Sequence, residues 1–177
     1  MPKIIKECKS RILEAARVEL SENQNGGFSM RRVSARAKVA VGTIYHYYPD
    51  KIDLIAAILL ESWEEKYAST DERMNRCESV GEVIHQILDL ISSYRMENAS
   101  TFQNYKREGF SDYYVRLHSS FVGQIQALFV KGREHLQISL SSEEDRMISE
   151  MILIQSRTGE ISESGLISMI EKLIRKG

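Results

Sequence analysis

Proline is nearly missing from this chain, with two in 177 residues. With few helix breakers and few runs of valine and threonine, an almost entirely helical, all-α protein is predicted. Cysteine is as scarce. Cys8 and Cys77 fit no paired or CxxC spacing, which excludes a disulfide framework or a cysteine-built metal site. Cys8 lies on an apolar helical stripe and reads as a small core residue, whereas Cys77 falls in a polar connector. No apolar run approaches the roughly 20 residues a bilayer span requires, and no leader segment is recognisable, so a cytoplasmic protein is expected. The motifs GxGxxG, HExxH and GxSxG do not occur, nor does GxxxxGK followed by Ser or Thr. No enzyme activity, cofactor or metal is expected. Internal repeats and low-complexity tracts are also absent.

What is there is a lopsided charge. The net charge is only −1, but residues 1–51 hold ten Lys/Arg and five Asp/Glu, while the remainder holds fourteen and twenty. A basic head on an acidic body concentrates positive potential at the N-terminal end, as a polyanion-binding head requires. Ile5, Cys8, Ile12, Ala15, Ala16 and Leu20 recur at three and four, giving a first amphipathic helix over residues 4–23. Lys9 and Arg11 fall on its polar side and are read as solvated, the alternative being a phosphate contact. Asn23, Gln24, Asn25, Gly26 and Gly27 end it.

The most informative stretch runs from Phe28 to Lys51, FSMRRVSARAKVAVGTIYHYYPDK. Ser29 is a good N-cap, and Val33 and Ala37 form a short apolar stripe. Lys38, Val39 and Ala40 make a turn. Val41 to Tyr48 follows as a second helix, stopped by Pro49. Thr43, Tyr45, His46, Tyr47 and Tyr48 crowd that helix, with Lys51 just beyond. Hydroxyls, an imidazole and a lysine suit phosphates and base edges better than they suit a solvated face. Gly42 lets another backbone approach.

This stretch resembles the helix-turn-helix of the TetR family of transcriptional regulators. Phe28, Ser29, Val33, Ala37, Val39, Gly42, Thr43, Ile44, Tyr45, Tyr47, Asp50 and Lys51 fall on the family pattern without a gap, and Tyr48 replaces its usual Phe. Two positions depart from it. Lys38 stands where the family has glycine, and a lysine in a left-handed turn costs on the order of 1 kcal/mol. Ala40 stands where the family has the serine cap of the recognition helix, a loss of about 0.5–2 kcal/mol. Both predict a looser turn, and Lys38 adds a cation beside the DNA-facing helix. Carried over by motif position, Thr43, Tyr45, Tyr47 and Lys51 would grip phosphate. Arg31, Val41, Gly42 and His46 are candidates for base-edge or groove contact, and Ser29 for a phosphate contact.

The resemblance implies a DNA-binding domain over 1–49 and a helical effector-binding and dimerisation domain over 50–177, about nine helices in all. Asp50 can cap a fourth helix carrying Leu54, Ile55, Ile58, Leu59, Ser62 and Trp63, followed by a polar connector from Ser69 to Glu78. Ser79 with Glu82, and Ser141 with Glu144, have capping-box spacing. Thr158 and Gly159 break the eighth helix, and Ser162 starts the ninth. In the family the last two helices form the dimer interface, which here assigns Ile148, Met151, Ile152, Gln155, Leu166, Ile170 and Leu173. The fourth to seventh helices enclose the effector pocket, for which Trp63, Tyr67, His85, Tyr94, Phe102, Tyr105, Tyr114, His118 and Phe121 are the candidates. His85 and Asp89 share a helix face, but no third metal ligand joins them. The implied function is a one-component regulator, a repressor. It would bind a palindromic DNA operator as a homodimer and be released by a small-molecule effector of unknown identity. The alternatives are control by a protein partner, with a solid body, and a head that has lost sequence specificity.

Overall fold

The computed structural model describes residues 3–23, 27–105 and 110–175, with side chains described over 7–23, 27–102 and 121–175. Among the described residues nine helices and no strand are found. They are α1 (Lys3–Glu22), α2 (Met30–Ala37), α3 (Val41–Tyr47), α4 (Lys51–Met74), α5 (Val80–Glu97), α6 (Ala99–Tyr105), α7 (Phe110–His135), α8 (Ser142–Thr158) and α9 (Glu163–Ile174). The all-α expectation holds. Two compact units divide the chain, Met1–Trp63 with Asn98–Tyr114, and Glu64–Glu97 with Val115–Gly177. α4 therefore contributes its first half to one unit and its second half to the other.

The first unit is built around Ile12, Ala16, Val33, Ile44, Leu54, Ile55 and Leu59, all fully buried, with Cys8 and Phe102 packed against them. Helix ends are fixed by side chains, as the spacing predicted. Ser29 Oγ accepts the Arg32 N–H at 3.5 Å at the start of α2. Asp50 Oδ1 accepts the Asp53 N–H at 2.8 Å, and the Asp50 N–H returns a bond to Asp53 Oδ2 at 3.2 Å. This reciprocal pair satisfies two of the orphan donors at the start of α4.

In the second unit the inner faces of α5, α8 and α9 meet. Ile84, Ile87, Leu128, Phe129, Ile148, Ile152, Leu166 and Ile170 fill its interior. Ser141 and Glu144 form the complete capping box of α8. The two bonds from Ser141 hold the Glu144 carboxyl below its ordinary range. Because the folded-state value is depressed, this stabilisation is present above the ordinary carboxyl pKa and is lost as pH falls through the folded one. At α5 the box is displaced by one residue. Ser79 Oγ accepts from the Glu82 N–H at 3.2 Å, but the Glu82 carboxylate accepts from the Glu78 N–H instead. Arg133 forks onto both oxygens of buried Asp145 at 2.5 Å and donates to the Ile138 carbonyl, tying the end of α7 to α8.

One expectation needs correction. The segment from Ser69 is not a connector, because α4 runs on to Met74. Trp63, Thr70 and Met74 continue the helical stripe at seven and four, and all three are buried. Cys77 does lie in the short connector between α4 and α5. It is buried with its Sγ toward the Arg73 carbonyl at 3.7 Å, and burial pushes the thiol pKa up.

Two glycines of α7 give opposite predictions. A Cβ on Gly132 would stand 2.7 Å from both Val83 methyls, whereas one on Gly123 meets nothing within 4 Å. Alanine gains up to about 1 kcal/mol in a helix interior, but overpacking typically costs 1–3 kcal/mol. Gly123→Ala should raise unfolding stability by about 0.5–1 kcal/mol and Gly132→Ala should lower it by about 1 kcal/mol. Urea denaturation of both variants checks this, and a gain at Gly132 would contradict the close α5–α7 packing.

Candidate nucleic-acid interface

α3 is seven residues long and presents its polar side outward. Ile44 is its buried anchor, and Tyr48, just past its end, is buried too. Val41, Thr43 and Tyr47 are half-buried, and Gly42, Tyr45 and His46 are exposed. Nothing stands within 4 Å of a Cβ placed on Gly42, so another surface can close on the helix there. Tyr47 is half-buried against the head's core, with Lys9 Nζ 5.5 Å from its ring centroid and the His46 ring edge-on at 5.2 Å. An ammonium above a tyrosine ring is attracted by the ring quadrupole. Lys9 is therefore engaged with α3, where solvation was expected.

The turn before α3 is as predicted at both departures. Lys38 adopts φ 54°, ψ 46°, in the left-handed region, and its N–H bonds the Ala35 and Ser34 carbonyls of α2. Ala40 occupies the N-cap of α3 with no side-chain hydrogen bond. What the sequence did not reveal is Arg11. Its guanidinium Nη2 donates to the Ala37 carbonyl at 2.5 Å and to the Lys38 carbonyl at 3.2 Å. Arginine on an amphipathic helix gives no sequence signal for such a long-range bond.

Glu19 was also missed. Its carboxylate is fully buried. Oε1 accepts the Ser29 N–H at 3.1 Å, the Arg32 Nε at 2.7 Å and the Arg32 Nη2 at 2.6 Å. Arg32 also donates to the Gly27 carbonyl. The hydrogen bond to Glu19 pushes the Arg32 guanidinium pKa up. Arg36 pairs with Glu22 at 2.5 Å. Arg32 and Arg36 thus pair with α1; Arg31 on α2 and Lys38 in the turn are exposed, and Lys51 is half-buried at the start of α4. Ser29, Arg31, Lys38, Val41, Gly42, Thr43, Tyr45, His46, Tyr47 and Lys51 all fall within the first unit.

Residues 12–58 match the family model described as "Bacterial regulatory proteins, tetR family". The HTH-type transcriptional repressor KstR of Mycolicibacterium smegmatis is 39% identical over 66 residues, 37% of this chain and 32% of that protein. The N-terminal head matches the TetR family over residues 12–58. The HTH-type transcriptional regulator UidR of Escherichia coli is 33% identical over 82 residues, 46% of this chain and 42% of its own. The chain thus matches less than half the length of these curated relatives. The fold match is longer: a TetR transcriptional regulator from Rhodococcus sp. RHA1 superposes with TM-score 0.60 at 18% identity, over 98% of this chain and 96% of that one.

The effector candidates are more scattered. Trp63 and Phe102 pack within the first unit, Phe102 against the core that seats α3. Tyr94 and Phe121 meet edge-on at 5.9 Å in the second. Tyr67 is half-buried, its phenol pKa pushed up by burial and then by Asp71. His85 is exposed and bonds Glu163 Oε1 at 2.7 Å, linking α5 to the start of α9. It faces solvent and lines no described cavity. The side chains of Tyr105, Tyr114 and His118 lie outside the described residues. A cavity of about 270 Å³ in the second unit is lined by Lys66, Ser69, Thr70, Arg73 and Ser93 and by none of the six candidates whose side chains are described. Among the described residues no cluster of three His, Cys, Asp or Glu is placed to hold a metal, and no helix is long and apolar enough to cross a membrane.

The residues assigned to an association surface are corrected in part. Ile148, Ile152, Leu166 and Ile170 are buried within the protomer's own second unit, because the one-sided stripe read from the sequence is the inner face of α8 and α9. Gln155 braces the α8–α9 loop, donating to the Ile161 carbonyl and accepting the Ile161 N–H. The exposed apolar residues are Met147, Ile154, Ile161, Met169 and Leu173, with Met151 half-buried among them.

The Glu19–Arg32 pair gives an asymmetric expectation. Arg32→Ala strands a buried carboxylate, whereas Glu19→Gln keeps an acceptor for Ser29 and removes the charge. Arg32→Ala should lower the urea midpoint further than Glu19→Gln. The reverse order would show that Arg32 is not what neutralises Glu19.

Proposed function

We propose that the protein is a one-component transcriptional repressor. It acts as a homodimer on a palindromic DNA operator, and a small-molecule effector releases it. The observation that carries the DNA half of this reading is the outward polar face of α3, anchored from within by Ile44, in a unit that also holds Arg31, Lys38 and Lys51. A seven-residue helix with a bare glycine in its first turn fits the width of a major groove. Two copies would occupy successive grooves about one helical turn apart. Thr43, Tyr45, Tyr47 and Lys51 would grip phosphate, with Ser29 adding a contact through the start of α2, and Arg31, Val41, Gly42 and His46 would face base edges. The exposed apolar residues Met147, Ile154, Met169 and Leu173 favour association through the outer face of α8 and α9.

Release requires that an effector bind better to a form whose two heads no longer fit the operator, and its differential affinity limits the shift. Tyr67, Tyr94 and Phe121 remain the candidates in the second unit for an effector with aromatic or apolar surface.

The test is selection of random duplexes on the purified protein at about 150 mM salt, followed by a salt titration on the enriched duplex. A palindromic motif is expected. Three cations per subunit beside the backbone give a log Kd against log salt slope of magnitude about 5. Lys51→Ala should reduce that magnitude by about 2, one phosphate for each subunit. No enrichment, or a slope near zero, would overturn the reading.

A further inference from the structure

The turn between α2 and α3 must hold a non-glycine residue in a left-handed conformation, and nothing in α3 caps its own start. Something else has to hold it. We infer that Arg11 of α1 is a positioning residue for DNA recognition: its guanidinium clamps the Lys38 turn, and with it the direction of α3, without touching DNA itself. This rests on the DNA-binding reading above.

The geometry is specific. Ala37 is the last residue of α2 and Lys38 its C-cap. Carbonyls at a helix C-terminus have no partner within the helix and carry the negative end of its dipole. Arg11 Nη2 reaches both carbonyls, at 2.5 and 3.2 Å. The next residue on α1, Ile12, is fully buried in the head's core, so the backbone that carries Arg11 is fixed. The clamp joins a rigid point on α1 to the residue with the least favourable backbone conformation in the head. A guanidinium presents several N–H donors in a planar fork and can serve two carbonyls, whereas a lysine ammonium on a flexible stem is a poor replacement. The charge therefore acts on the protein's own backbone. The rival role is a phosphate contact, since Arg11 is exposed beside the same turn.

Amide hydrogen exchange on the free protein separates the two roles without DNA. The reporters are the Lys38 and Val39 N–H groups, which bond the Ala35 and Ser34 carbonyls across the turn. Arg11→Lys keeps the charge and loses the fork, so faster exchange at both amides is expected. In a Lys38→Gly background, where left-handed backbone is unstrained, the same substitution should accelerate exchange by less than half as much on a logarithmic scale. On the palindromic duplex enriched above, Arg11→Lys and Arg11→Ala should each raise Kd by about tenfold, the size of one hydrogen bond to a charged group, with the salt slope unchanged. Circular dichroism of both variants checks that the helices persist.

Unchanged exchange at Lys38 and Val39 would overturn the inference. So would a wild-type-like Kd for Arg11→Lys together with a slope reduced by about 2 for Arg11→Ala, which would make Arg11 a phosphate contact. If no duplex is enriched by the wild-type protein, the DNA-binding reading fails, and the exchange rates still decide whether Arg11 holds the turn.

Discussion

The direction of α3 depends on one turn, and that turn is held in a conformation its own residue disfavours. Lysine has a Cβ that crowds the following carbonyl in left-handed backbone, on the order of 1 kcal/mol against it, and Ala40 offers no hydroxyl to start the next helix. In a head whose core is built from three helices and the first half of α4, such a cost is met by contacts from outside the turn. Ile44 locks α3 from below by burial, and Arg11 closes on the turn from the side. The exposed face of α3 can then be given over to groups that match DNA.

α1 acts as the brace of the whole head. Glu19 at one end receives the Ser29 N–H and the Arg32 guanidinium at the start of α2, while Arg11 nearer the other end serves the carbonyls where α2 stops. The signs agree with the helix dipole at both ends: a carboxylate meets the N-terminus of α2 and a guanidinium its C-terminus. Lys9 extends the same brace to the Tyr47 ring. Part of the positive charge of the head is therefore internal bracing. Arg32 and Arg36 count among the basic residues of the head, yet they pair with Glu19 and Glu22 of its own first helix.

Much of this was legible in the sequence, for reasons that differ by element. The helix starts at Ser29, Asp50, Ser141 and Ser162 follow from short-range chemistry, which a sequence displays directly. The left-handed Lys38 and the uncapped Ala40 were legible because the family pattern has glycine and serine there. Long-range partners were not. Arg11 and Glu19 look like ordinary members of an amphipathic helix, and only the packing of α1 on α2 gives them carbonyls and an N-terminus to bind. The same limit misplaced the association surface. Periodicity finds the apolar stripe of α8 and α9 but cannot say whether Ile148, Ile152, Leu166 and Ile170 face the protomer's own interior or a second copy, and they face the interior. The end of α4 was missed because Thr70, a hydroxyl residue, completes the buried stripe between Trp63 and Met74.

The central claim is that α3 reads DNA from the major groove, and methylation interference tests it most directly. Dimethyl sulfate marks guanine N7 in the major groove and adenine N3 in the minor groove, two positions that lie on opposite edges of the base pair. On a duplex enriched by the protein, the account predicts that N7 marks block binding in two clusters about one helical turn apart. Interference confined to adenine N3, or an absence of interference at any guanine of the bound site, would contradict it.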